Sequence, residues 1–221
     1  MNGKLAIIHT TPITVASLKE LAAEWLPGCE IVNLMDDSIL PQLAATGGDL
    51  SAVRERLLAY ARIAESLGAA CILNACSSVG GVVKEMRKQV SIPVVRIDEA
   101  MAERAVRSGK RIGVAATLAT TLRPTIALLE EKAAEAGAEV DIVPALAEEA
   151  YKKLLGGDKE GHDTELSRAL TALSEETDVV VLAQASMARV VDSMPESRRE
   201  RFLSSPRLGM ESVALRMGLH P

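Results

Sequence analysis

The chain has 221 residues, 48% of them apolar, with a net charge of −5. That is enough to bury a core, and the charge gives no electrostatic reason to expect DNA, RNA or an anionic membrane as partner. Trp25, Tyr60, Tyr151 and Phe202 are the complete aromatic set, so base-stacking platforms are lacking and a small polar ligand is favoured over one held by aromatic walls.

From the N-terminus, short apolar runs alternate with longer amphipathic stretches. LAIIH at 5–9 leads into a helix pattern over 14–25, and CEIVNL at 29–34 into one over 49–67. ACILN at 70–74 precedes a pattern over 79–90, and IPVVRI at 92–97 precedes one over 98–108. RIGVAA at 111–116 is followed by 120–136, VDIVP at 140–144 by 163–175, and DVVVLA at 178–183 by 206–217. Continuous apolar strands separated by helices predict the α/β class, with parallel sheets covered on both faces and right-handed crossovers. PQLAATGGD at 41–49 and LGGDKEGHD at 155–163 read as Gly- and Asp-rich surface loops.

The two halves resemble each other. KLAIIHTTPIT from Lys4 matches RIGVAATLATT from Arg111 at an offset of 107, and ACILNACSSVG matches VVVLAQASMAR at an offset of 109, with Leu73 on Leu182. This predicts two similar lobes with a cleft between them: 1–97 with 206–221, whose last helix packs back onto the first lobe, and 98–205.

Cys29, Cys71 and Cys76 form no C-x-x-C pair, and His9, His162 and His220 are not spaced as zinc ligands, so no metal is expected. Free thiols without a disulfide framework point to a reducing cytoplasm. MNGKLAIIHTTP lacks the apolar core of a signal peptide, and no stretch is long and apolar enough to span a membrane. There is no P-loop, no G-x-G-x-x-G after a strand and no suggestively placed lysine at a strand end, so no cofactor is expected.

Ligands of open parallel sheets sit beyond the carboxyl ends of the strands. Those ends offer His9-Thr10-Thr11, Asp36-Asp37-Ser38, Asn74-Ala75-Cys76-Ser77-Ser78, Arg96-Ile97-Asp98, Thr117 with Thr120 and Thr121, and Gln184-Ala185-Ser186. Hydroxyls, amides and one thiol suit a small carboxylate held by neutral donors. Cys76 lies between a strand and a helix that Ser77 or Ser78 can cap, and a helix start favours a thiolate. Such a thiolate takes a proton or attacks an electrophile. Cys71 belongs to strand packing, Met187 to the core, and Cys29, after Pro27-Gly28, to structure. Arg96 pairs either with a substrate carboxylate or with an acid such as Asp98, which itself either orients a site residue or caps the next helix. Asp36 and Asp37 read equally as a cleft pair or a solvated turn, and His162 as a bland loop residue.

ILNACSSVGG resembles the first catalytic-cysteine turn of the aspartate/glutamate/hydantoin racemase superfamily, and IGVAATLATT resembles its A/G-T-x-x-T carboxylate-binding turn. VVVLAQASMA stands where that superfamily has its second cysteine turn. The resemblance implies two α/β lobes related by a pseudo-twofold axis, and a cofactor-independent racemase- or isomerase-like enzyme acting on a small amino, hydroxy or dicarboxylic acid. It implies that Cys76 is the catalytic thiol. Asn74, Ser77, Ser78, Thr117, Thr120 and Thr121 would line the carboxylate site, with His9 and Thr10 as further binding residues. The departure is the second turn, Gln184-Ala185-Ser186, which carries no thiol. Gln184 and the hydroxyls, Ser186 among them, would then hydrogen-bond a developing enediolate, or Asp98, His9 or a water would supply the second proton site. Single-cysteine decarboxylases and covalently acting isomerases fit the same pattern, and a non-catalytic carboxylate sensor is the reading from another class. A homo-oligomer, dimer or higher, is the expected assembly.

Overall fold

The computed structural model describes residues 3–219, and His220 lies outside them. The chain divides into two compact units, residues 1–99 with 206–221 and residues 100–205.

The first unit begins β1 (Lys4–His9), α1 (Val15–Trp25), β2 (Glu30–Met35), α2 (Ile39–Ala45), α3 (Ser51–Ser66), β3 (Cys71–Asn74), α4 (Val83–Gln89) and β4 (Val94–Arg96). Its strands pair in the order β2-β1-β3-β4, all parallel. Side chains alternate across a strand, so β1 feeds two cores. Ala6 and Ile8 join Ile72, Val94 and the apolar faces of α2, α3 and α4. Leu5 and Ile7 join Leu73, Val95 and Leu18 and Ala22 of α1. The sheet is therefore buried on both faces, which is why its strands read as unbroken apolar runs.

The second unit runs from α5 (Glu99–Ser108) through β5 (Arg111–Ala116), α6 (Ala119–Ala136), β6 (Asp141–Leu146), α7 (Glu148–Leu155), α8 (Lys159–Glu176), β7 (Val179–Leu182), α9 (Ala188–Asp192), α10 (Glu196–Arg199) and β8 (Phe202–Ser204). The parallel order β6-β5-β7-β8 repeats that of the first sheet. Ala115, Val180 and Leu182 pack with Leu166, Leu170 and Leu173 of α8. A Cβ at Gly113 would lie 2.7 Å from Leu173 Cγ and 3.0 Å from Thr177 Oγ1, so this glycine lets α8 approach β5 closely. The last helix, α11 (Ser205–Arg216), places Met210, Val213 and Ala214 in the first unit's core beside Leu5, Ile7 and Leu18.

Three expectations are corrected. The two loop-like stretches are partly helical: α2 runs to Ala45 and is followed, after Thr46, by Gly47 and Gly48 at positive φ, and α8 starts where Asp158 accepts the Gly161 N–H. His162 accordingly lies in the first turns of α8, bound to Asp163, rather than in a loop. The helix pattern from 79 opens as a 3-10 turn over Ser77–Val82 before α4 begins. Among the described residues no helix is long and apolar enough to cross a membrane, and no group of metal-ligating side chains occurs.

Candidate active site

In the first unit the polar residues gather at the carboxyl ends of β1, β3 and β4. Ile8, Asn74 and Arg96 stand in register across these strands. His9 is fully buried, with Nε2 2.9 Å from Asn33 Oδ1 and Nδ1 3.1 Å from Thr14 Oγ1. An amide oxygen only accepts, so Nε2 carries the proton and Nδ1 accepts from the threonine hydroxyl. Burial pushes the imidazole below its usual pKa, opposed by the Asn33 bond, so it stays neutral. Both ring nitrogens are thus engaged in tying β1 to β2 and to the turn that follows Thr11.

Thr10 is nearly fully buried, and its Oγ1 has no hydrogen bond of regular geometry. It lies within reach of the Cys76 thiol and favours its thiolate. Asn74 is fully buried; its Nδ2 donates to the Cys76 carbonyl at 3.3 Å and its Oδ1 has no partner. Flipping the amide would set oxygen against oxygen, so the unpaired atom is an acceptor.

Cys76 is itself the N-cap residue of the 3-10 turn, with extended φ −133° and ψ 114°, and no side chain caps that turn. Ser77 and Ser78, half-buried, therefore sit inside the turn rather than capping it. The expected lowering of the thiol pKa is also corrected. Burial pushes the Cys76 thiol up, and the Thr10 hydroxyl, the Ser78 N–H and hydroxyl and the Val79 N–H only partly offset it. Arg96 and Asp98 form a buried pair, Nε to Oδ1 at 2.6 Å and Nη2 to Oδ2 at 3.0 Å, which resolves the two readings of Arg96 in favour of its neighbour. Asp36 is engaged by Ser38, Arg56 at 2.8 Å and Tyr60 at 2.9 Å. Burial pushes its carboxyl up, but these bonds and the Arg56 charge outweigh it and hold it low. Asp36 is therefore part of a closed network joining β2 to α3, while Asp37 is exposed.

In the second unit Thr117 and Gln184 meet. The Thr117 N–H and hydroxyl both donate to Gln184 Oε1, at 2.7 and 2.9 Å. The two donors fix the amide orientation, and Nε2 is left without a protein partner among the described residues. Thr121 is buried and its carbonyl accepts from the Thr125 hydroxyl, whereas Thr120 and Ser186 are exposed and make no such contact with Thr117.

The strand registers correct the alignment of the halves. Leu5 pairs with Cys71 and Ile112 with Val179, so Cys76 corresponds to Gln184 and not to Ala185. The backbone agrees: Ala75 N–H donates to the Ile8 carbonyl, and Ala183 N–H to that of Ala115. Gln184 is likewise the N-cap of a 3-10 turn, with φ −128° and ψ 132°. Thr10 beside Cys76 is thus repeated as Thr117 beside Gln184. Sequence reasoning had each of these residues singly but missed the pairing, and it missed Gly80, whose neighbour Gly81 was the visible signal of close packing after the cysteine turn.

The structure is similar to a glutamate racemase isoform from Bacillus anthracis, with TM-score 0.73 and 14% identity over 98% of this chain and 82% of that one. It is similar to a putative Asp/Glu racemase from Yersinia pestis, with TM-score 0.73 and 15% identity over 97% of this chain and 99% of that one. An allantoin racemase from Klebsiella pneumoniae matches with TM-score 0.65 and 18% identity, over 98% of this chain and 89% of that one. These likenesses show the fold. No curated protein sequence matches the chain. A sequence profile of the Asp/Glu/Hydantoin racemase family matches residues 7–212, nearly the whole length, and the chain belongs to that family.

Proposed function

We propose that the protein is a cofactor-independent enzyme of the isomerase class. It acts at the carbon beside a carboxylate in a small amino, hydroxy or dicarboxylic acid, with Cys76 as its catalytic thiol. The observation that carries this reading is Asn74 Oδ1, a buried acceptor with no hydrogen-bond partner two residues before Cys76, together with the Thr10 hydroxyl, which makes no hydrogen bond of regular geometry and lies within reach of the thiol. A buried polar atom left unpaired costs roughly 1–3 kcal/mol, and a ligand that supplies the missing bonds removes that cost. Family membership supports the same reading. In the proton-transfer form, the thiolate takes the α-proton, an S–H bond forms, and the C–H electron pair passes into the carboxylate as an enediolate. The raised thiol pKa makes the thiolate a stronger base once it forms.

A second reading is favoured by Gln184, the counterpart of Cys76. An amide neither takes nor gives a proton at neutral pH, so chemistry that uses one thiol, such as decarboxylation with protonation on a single face, suits this chain as well.

The test is a screen of small carboxylic, hydroxy and amino acids in deuterated water. Deuterium at the α-carbon is expected with the natural protein and lost in Cys76→Ala, with carboxylate binding retained. Loss of carbon dioxide would select the lyase reading, and exchange with racemisation the isomerase reading. Undiminished exchange in Cys76→Ala would sink the role of the thiol. Binding without chemistry in both proteins would mark a sensor.

A further inference from the structure

The Cys76 turn has no side-chain capping bond of regular geometry, but the Ser78 and Val79 N–H groups lie near enough to the thiol to favour its thiolate. Its own backbone bonds, Val79 N–H to the Cys76 carbonyl and Val83 N–H to the Gly80 carbonyl, are joined by a contact from a neighbouring strand end. At Gly80, inside the turn, an added Cβ would overlap the Arg96 guanidinium at Nε and Cζ. Gly80 is not among the glycines at positive φ, so its backbone is one that other residues adopt. The glycine is needed for space rather than for conformation. Arg96 in turn is locked by the fork of two bonds to Asp98, which is fully buried. The end of β4 is also tied to β3, through Ile97 N–H to the Asn74 carbonyl, and Asn74 holds the Cys76 carbonyl.

A buried ion pair contributes little net stability, because desolvation offsets attraction; what it supplies is fixed geometry. A planar guanidinium held at two points is a rigid surface, unlike a lysine chain. We propose that Arg96, oriented by Asp98, is a positioning residue that clamps the Cys76–Val82 turn through contact with the Gly80 backbone and so sets the thiol in place. This rests on Cys76 being the catalytic thiol, but its test does not need a substrate.

The test is the pH profile of iodoacetamide labelling at Cys76, mapped by mass spectrometry in the full chain, with Cys29 and Cys71 as controls in the same molecule. Gly80→Ala changes no charge, so a shift of the Cys76 profile reports the turn alone. The midpoint is expected to rise by about half a pH unit or more as the Ser78 and Val79 bonds are lost, with Cys29 unchanged. Arg96 and Asp98 are the charged pair packed at this turn. Replacing both, in Arg96→Met/Asp98→Leu, leaves no buried charge unpaired and serves if Gly80→Ala does not fold. It should give the same rise, and adding Gly80→Ala to it should give no more, because both remove one contact. Arg96→Lys should not restore the natural profile. An unchanged midpoint in a folded Gly80→Ala or Arg96→Met/Asp98→Leu protein overturns the clamp, as do two independent, additive shifts. If these profiles move while Cys76→Ala keeps full turnover, the clamp stands and the catalytic reading fails.

Discussion

Gln184→Met gives a direct measure of how the second unit's turn is held. Methionine keeps the length of the side chain but offers only a weak sulfur acceptor. The Thr117 N–H and hydroxyl, 5% exposed as a residue, then lose the oxygen to which both donate. A buried donor left unmade costs roughly 1–3 kcal/mol, which corresponds to exchange of the Thr117 amide hydrogen that is about 5–150-fold faster. Amide hydrogen exchange followed by NMR reads this residue by residue. The adjacent Ala183 amide, bonded to the Ala115 carbonyl, is the internal control and should not change. Thr117→Val removes only the hydroxyl bond and keeps the 2.7 Å bond from the amide, so its amide should be far less affected. Unaltered Thr117 exchange in folded Gln184→Met protein would refute the idea that this side chain secures the turn.

Three further outcomes follow from local geometry. Gly113→Ala should lower the thermal midpoint, since the new methyl meets Leu173 Cγ at 2.7 Å; overpacking of this kind costs about 1–3 kcal/mol, and scanning calorimetry checks it. Cys71, fully buried in β3 with its thiol pushed up to about 12, should be the last cysteine to alkylate at pH 8, and early labelling of it in native protein would contradict its place in the core. His9 is held neutral, with its folded pKa below the ordinary value. In the unfolded chain it takes a proton near pH 6.5. Stability from this group is therefore present above about pH 6.5 and lost as pH falls from there toward the folded pKa, and His9→Gln should flatten that part of a urea-midpoint profile.

Much of the frame was legible because a sheet buried on both faces writes its strands as apolar runs. LAIIH and RIGVAA marked β1 and β5 to within a residue, and their polar successors marked the strand ends. β8 was not legible: Phe202 and Leu203 are too short a run, and pairing with β7 makes them a strand. Register was the subtler loss. Apolar runs say where a strand is, but a slip of one residue leaves the run apolar, and so Ala185 was set against Cys76 in place of Gln184. The thiol pKa failed for a different reason. A helix start is a local feature that can be read along the chain, whereas burial of Cys76 is produced by residues distant in sequence. The contact of Gly80 with Arg96 likewise joins a turn to a strand end, and no periodicity records it.

The return of α11 to the first unit bears on the order in which the protein matures on the ribosome. Residues 100–205 form an uninterrupted segment, so every side chain of the second unit has been synthesised before α11 exists. The first unit, begun earlier, must wait with the core around Leu5, Ile7 and Leu18 covered by α1 but incomplete until Met210, Val213 and Ala214 arrive. Synthesis order and completion order are thus inverted: the later unit can close first, and the earlier one presents a partly open apolar face to the surroundings of the nascent chain in the interval.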